Sequence, residues 1–368
     1  MKAGIALVTV GVLGGTLTLL KKNSESEQKT LHLYVWTDYI DKEIIKEFEK
    51  KFNVKVSEEN FPSNEVMISK LKAGGGGFDV IVPSDYMIAT MKQDNLLLKL
   101  PVDKITTLSQ LSEKFRKVTY DPNHEYVVPY MWGTTGFAYN SNKLKNPPKS
   151  WKEFFDVRHI QEANKRISLL DDPREVLGAG LKANGFSLNS SKAEELQKAK
   201  QSILSLKPLV SRFDTMSYKD LLASGDLWVA HAYSGDIVKM QTKNPELRYV
   251  IPDDGATLWV DNLAIPTGAP NPELAAEFIN FVTTPEINQR IALSIHYATT
   301  NEKARQMLPA SELQNASIYP PKEVEARLEL FGDLGAAAEL VDTTWAEIRA
   351  ENEPSAPTQP AQPPSAQR

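Results

Sequence analysis

Two stretches decide the architecture: Leu31-His32-Leu33-Tyr34-Val35-Trp36 and Asp79-Val80-Ile81-Val82-Pro83. Each is a short apolar run that reads as a buried strand. Between them, Asp41 to Phe52 carries Ile44, Ile45, Phe48 and Phe52 on one helical stripe. Val54-Lys55-Val56 then reads as a second strand, and Asn64 to Ala73 as a second helix stopped by the run Gly74–Gly77. This β-α-β-α-β order has the rhythm of an open, mostly parallel sheet. Such sheets bind ligands at the carboxyl ends of their strands. Here those ends carry Trp36-Thr37-Asp38-Tyr39 and Pro83-Ser84-Asp85-Tyr86.

A second set of α/β signals follows Asn140. Ser150 with Glu153, and Ser191 with Glu194, have the spacing of capping boxes. The second opens a helix through Leu196, Ile203 and Leu206. Strand signals return at Leu227–Tyr233, Arg248–Ile251 and Thr257–Ile265. Asn271-Pro272 and Thr284-Pro285 each read as an N-cap followed by proline in the first helical position. No repeat runs at a fixed period, and the glycine run lacks the lysine and hydroxyl of a phosphate loop.

The 368 residues suffice for two domains. The absence of cysteine excludes disulfides, zinc–thiolate sites, a thiol nucleophile and an acylated-cysteine anchor. With 42 basic against 47 acidic side chains, the net charge of −5 argues against nucleic acid as a partner. Without the first 22 residues, 39 basic face 47 acidic groups, a net of −8. If such carboxylates converge in a cleft, the preferred ligand is a cation. Met1-Lys2, the apolar stretch Ala3 to Leu20 and Lys21-Lys22 have the layout of an export leader over residues 1–26. Its sequence is compatible with cleavage and with retention as an N-terminal anchor. Residues 353–368 are rich in Pro, Ala, Gln and Ser, the composition of a disordered tail.

One arrangement recurs at the strand ends. Trp36 precedes Asp38 by two residues, Trp259 precedes Asp261 by two, and Tyr233 precedes Asp236 by three. Residues i and i+2 of a strand share a face, so Trp259 and Asp261 can enter one cavity. An aromatic face attracts an ammonium ion, and a neighbouring carboxylate adds a charge-assisted hydrogen bond. Together they suit an alkylammonium, though core-plus-turn roles would produce the same pairs. Asp172-Pro173-Arg174-Glu175 likewise has two readings: a capped helix start, or two carboxylates on the rim of a cleft. Paired carboxylates also suit a hydrolase, but nothing in the sequence fixes their separation. The five histidines have no metal-ligand spacing, and no nucleophile elbow is present.

In order along the chain, Trp36-Thr37-Asp38-Tyr39, Asp79-Val80-Ile81-Val82-Pro83-Ser84, Pro129-Tyr130-Met131-Trp132-Gly133, Asp172-Pro173-Arg174-Glu175-Val176, Trp259-Val260-Asp261-Asn262-Leu263-Ala264-Ile265-Pro266 and His296-Tyr297-Ala298-Thr299-Thr300-Asn301 resemble the bacterial periplasmic polyamine-binding proteins of ABC transporters. The resemblance implies a two-lobed α/β fold, the type II periplasmic binding protein, each lobe a mostly parallel sheet flanked by helices. Lobe 1 is expected over 28–136 with 262–305, and lobe 2 over 137–261 with 306–352. Carried over by position, Trp36, Tyr39, Tyr86, Trp259 and Tyr297 wall a slot around methylenes, and Thr37 and Ser84 supply hydrogen bonds. Asp172, Glu175 and Asp261 hold amino groups. Asp38 and Asp236 match acids of the putrescine-type branch. Tyr233 stands where the family usually has tryptophan, and Phe331 falls near a glutamine of the spermidine branch. The ligand implied is putrescine, spermidine or both, passed to an ABC permease in the inner membrane. No enzymatic activity, cofactor, metal or nucleic-acid partner is implied. A polyamine-sensing accessory subunit of a membrane signalling protein is the alternative.

Overall fold

The computed structural model describes residues 28–351. The leader and the Pro-rich tail read from the sequence lie outside the described residues. Eleven strands form one continuous sheet: β1 Thr30–Val35, β2 Lys55–Asn60, β3 Val80–Ile81, β4 Val127–Asn140, β5 Ile167–Leu169, β6 Val210–Phe213, β7 Val229–Tyr233, β8 Leu247–Val250, β9 Ala256–Ala264, β10 Ala298–Thr299 and β11 Leu328–Glu329. Its main path runs β2-β1-β3-β9-β4-β7-β5-β6. The outer parts are parallel, β2-β1-β3 at one end and β7-β5-β6 at the other. Between them β9 and β4 are antiparallel to each other and to their flanking neighbours β3 and β7.

The joint is built from sequence. β4 is 14 residues long, nearly all buried, and at about 3.4 Å per residue it extends about 45 Å. Val128, Tyr130 and Met131 at its start pack into a core with Leu33, Phe48, Val80 and Phe278. Phe137 and Ala138 near its end pack into a second core with Trp151, Leu169, Ile203 and Tyr218. A strand apolar on both faces along its length can serve two cores, whereas an alternating strand can serve only one. Its ladder with β9 shifts register between Pro129 and Met131, where proline has no N–H to donate.

The helices obey the expected capping rules with instructive exceptions. Asp41 accepts from the Glu43 N–H at 2.7 Å and caps Lys42–Phe52, whose Ile44 and Phe48 are buried. Asp172 caps Pro173–Ala183 by accepting from the Glu175 N–H at 3.0 Å. The box predicted for Ser191 and Glu194 is absent: the helix begins at Ala193, and Ser190 accepts from the Lys192 N–H instead. Asn271 and Thr284 stand at N-cap positions but make no capping hydrogen bond. The Asn271 amide donates to the Thr30 carbonyl at 3.1 Å, tying that helix to β1. β2 runs on to Asn60, longer than Val54–Val56, because it pairs along the whole of β1.

Packing assigns the later segments to one core or the other. Leu308, Leu313 and Tyr319 pack on the first core, whereas Val341 and Ile348 belong to the second. The Trp259 side chain packs in the first core. Crossing strands belong to both sides, so no single residue divides them.

Candidate functional site

Where the two cores meet, a cavity of about 670 Å3 of non-atom space, open to solvent at its mouth, lies against the ends of β1, β3 and β7 and the middle of β9. Twelve of the thirteen sequence candidates line it: Trp36, Thr37, Tyr39, Ser84, Tyr86, Asp172, Glu175, Tyr233, Asp236, Trp259, Asp261 and Tyr297.

The alternation rule holds on β9. Trp259 and Asp261 both reach the cavity, as i and i+2 should. Opposite Trp259 in the ladder stands Gly133, and a β-carbon there would come within 2.5 Å of the indole ring. The glycine therefore makes the space that Trp259 fills. Its ring meets Tyr297 edge-on at 5.2 Å and Tyr233 at 6.2 Å. Gly235 serves Tyr297 similarly, since a β-carbon would lie 2.6 Å from that ring.

Asp261 is buried, accepting from the Tyr39 hydroxyl and from the Ser84 hydroxyl, each at 2.6 Å. Burial pushes its pKa up to about 7 despite both hydrogen bonds. Glu175 accepts from the Thr135 hydroxyl at 2.7 Å and the Thr257 hydroxyl at 2.8 Å, and burial raises it to about 7 as well. Asp172 is raised well above the carboxylate range by burial, then by the neighbouring Glu65 and Glu175. Its cap role and its place in the cavity wall coexist, as the two readings of Asp172-Pro173-Arg174-Glu175 allowed. Glu175 does not reach back to close a capping box; its oxygens go to the two threonines of the crossing strands.

Asp38 departs from the pattern. β1 ends at Val35, and Asp38 takes a left-handed turn at φ 58°, so the period of two stops before it. Its half-exposed carboxylate sits outside the cavity lining and pairs with Lys219 at 3.1 Å. Asp236 lines the cavity, accepting from the Tyr218 hydroxyl at 2.9 Å and the Tyr297 hydroxyl at 3.1 Å.

Sequence reasoning missed several residues here. Phe61, Asn64, Thr215, Met216 and Lys219 line the cavity, and so does Phe331, noted earlier only as a departure from the family. The Asn64 amide donates to both the Ser84 and Tyr86 hydroxyls at 3.1 Å. The Arg174 guanidinium stacks 4.9 Å from Tyr86 and 4.5 Å from Phe331, and donates to the Gly332 carbonyl at 3.1 Å. Arg174 was quoted within its motif, but only folding shows it pinning one aromatic wall. Asp85 lies buried behind the slot, its pKa raised by that burial.

This arrangement has the chemistry to receive a cation. Carboxyls converge with rings on either side, and among the described residues no cluster of metal-ligating side chains occurs. An ammonium can pair with the acids while its methylenes lie along the rings. No helix of the described residues is long and apolar enough to cross a membrane.

A family model described as bacterial extracellular solute-binding protein matches residues 43–321. The chain is 33% identical to the putrescine-binding periplasmic protein SpuD of Pseudomonas aeruginosa, over 95% of this chain and 98% of that one. It is 30% identical to the spermidine/putrescine-binding periplasmic protein 1 of Haemophilus influenzae, over 95% of this chain and 99% of that one. A solved structure, the putative spermidine/putrescine ABC transporter from Listeria monocytogenes, superposes with a TM-score of 0.83 at 36% identity, covering 88% of this chain and all of that one.

Proposed function

We propose a function on the premise that this chain belongs to the bacterial extracellular solute-binding proteins, the family matched over residues 43–321. The chain captures a polyamine in the cavity between its two cores and delivers it, from the periplasm, to the permease of an ABC transporter. The observation that carries this reading is the set Asp172, Glu175 and Asp261, buried without an ion-pair partner in a wall of Trp36, Tyr39, Tyr86, Tyr233, Trp259 and Tyr297. Buried carboxyls without a cation cost free energy, and a ligand's ammonium groups remove that cost by pairing with them. The aromatic walls cover the intervening methylenes, and a ring facing an ammonium adds cation–π attraction worth roughly 1 kcal/mol.

Thr37 and Ser84 add neutral hydrogen-bonding groups, and Asp236 with the rim residue Asp38 adds acid at the Lys219 end. Hinge motion at β4, the strand shared by both cores, and at its ladder partner β9 admits and encloses the ligand. The sensory-subunit reading gains no support, because the relatives named above are binding proteins and an ABC transporter component. The hydrolase reading fails for the same reason.

Calorimetric titration of the purified chain with putrescine, spermidine, spermine and lysine tests the proposal. Saturable binding of at least one polyamine, with lysine far weaker because its carboxylate meets the cavity acids, is expected. No heat with any polyamine at millimolar concentration overturns it.

A further inference from the structure

The cavity contains one ammonium of its own. Lys219 belongs to the helix Tyr218–Ser224, which the second core anchors through Tyr218 and Leu222. The lysine side chain is only 3% exposed, yet it lines the cavity. Its Nζ lies 3.1 Å from an Asp38 oxygen and 3.6 Å from an Asp236 oxygen. Asp38 follows β1 on the side of the first core, so the ammonium bridges the two sides. Tyr218 and Tyr297 hydroxyls complete the ring around Asp236. Burial alone would lower the lysine pKa, but Asp236 and Asp38 more than offset it and hold it above the usual value.

The other carboxyls of the wall form no ion pair, although burial's upward push on the pKa of Asp172 and Glu175 is opposed by the charge of the buried Arg174. Asp172 accepts from a backbone N–H, and Asp261 and Glu175 accept only from hydroxyls. Acid is therefore ion-paired at the Lys219 end of the slot, whereas Asp172, Glu175 and Asp261 form no ion pair and only the charge of the buried Arg174 acts on the first two. We propose that Lys219 sets the selectivity of this slot: its ammonium fills the Asp38–Asp236 position, so the chain prefers a diamine over a polyamine with three or more ammonium groups. A diamine places its charges along Asp172, Glu175 and Asp261 and stops short of the lysine. A longer polyamine reaching the Asp38–Asp236 end must approach Lys219 or displace it. Either course leaves a cation without its counter-charge in a site largely removed from water.

This inference rests on the polyamine reading, and the experiment separates their failures. The purified chain, Lys219→Met and Lys219→Arg are titrated calorimetrically with putrescine and spermidine. The native chain is expected to bind putrescine at least tenfold tighter than spermidine. Lys219→Met, which keeps the unbranched stem one atom shorter and without the charge, should move that ratio toward spermidine by tenfold or more. Lys219→Arg, which keeps the charge, should hold the ratio within threefold. A native chain that binds spermidine as tightly as putrescine overturns the inference, whether or not Lys219→Met folds. So does a Lys219→Met protein that melts like the native chain and keeps its ratio. A native chain that binds neither amine overturns the polyamine reading together with the inference.

Discussion

Replacing Asp261 by asparagine should weaken ligand binding and strengthen the empty fold, two effects of opposite sign from one oxygen-to-nitrogen exchange. Asp261 is buried and its pKa rises from the ordinary 3.8 to about 7. The folded value exceeds the unfolded one, so the carboxyl's contribution to stability is fully present below about pH 4. It is lost as pH rises through about 7. Three units at about 1.4 kcal/mol each set an upper limit near 4 kcal/mol for that loss at pH 8. The amide removes the ionisation but accepts from only one of Tyr39 and Ser84, and its NH2 must donate to the other. A net gain of about 1 kcal/mol at pH 8 remains, about 2 °C in melting temperature for a chain of this size. Binding moves the other way. Removing one partner of a buried, hydrogen-bonded charge pair costs about 3 kcal/mol, so Kd for putrescine should rise more than about a hundredfold. Thermal melts at pH 5 and pH 8 with calorimetry at pH 8 read both quantities. A variant that melts several degrees below the native chain at pH 8, or binds putrescine within threefold of it, refutes the assignment of a strained, waiting carboxylate.

Glu175 and Asp261, both raised to about 7 in the empty cavity, must be ionised to meet an ammonium. Affinity should therefore fall below neutrality, by roughly tenfold per group one unit below its pKa, with protons released on binding at pH 6.5. Calorimetry in buffers of different ionisation enthalpy counts those protons, and a pH-independent affinity between 5.5 and 8 contradicts the assignment. Asp172→Asn should retain the cap on Pro173–Ala183 and melt near the native temperature while losing affinity. Asp172→Ala should lose affinity and about 1 kcal/mol of stability besides. Equal affinities for both variants and the native chain would leave Asp172 with the cap role alone. Gly133→Ala drives a methyl toward the Trp259 ring, 2.5 Å away, and should cost about 1–3 kcal/mol of stability. It should also push the indole into the slot, seen as a shifted tryptophan emission and at least tenfold weaker binding; native emission and affinity would show that the ring has room to retreat.

The sequence by itself determined the strand–helix order, the strand ends that meet the cavity and most of the cavity wall. Those features are local: apolar runs bury strands, caps start helices, and alternation on β9 aims Trp259 and Asp261 together. It was also enough to place Asp172 at a helix start, because capping needs only three neighbouring residues. Asp38 lies beyond the end of β1, where a left-handed turn carries its carboxylate to the rim and pairing with Lys219 rather than strand alternation sets its place. What only the tertiary structure decided is which acids are already paired. Lys219 is 17 residues from Asp236 and 181 from Asp38, and no period or motif relates the three. Packing of the helix Tyr218–Ser224 on the second core brings that lysine across to the end of β1. The same is true of Gly133 beneath Trp259 and of the hydroxyls from Tyr39 and Ser84 on Asp261. Burial and pairing depend on surfaces that meet only when the chain is folded, and those two quantities set the charge the cavity offers to a ligand.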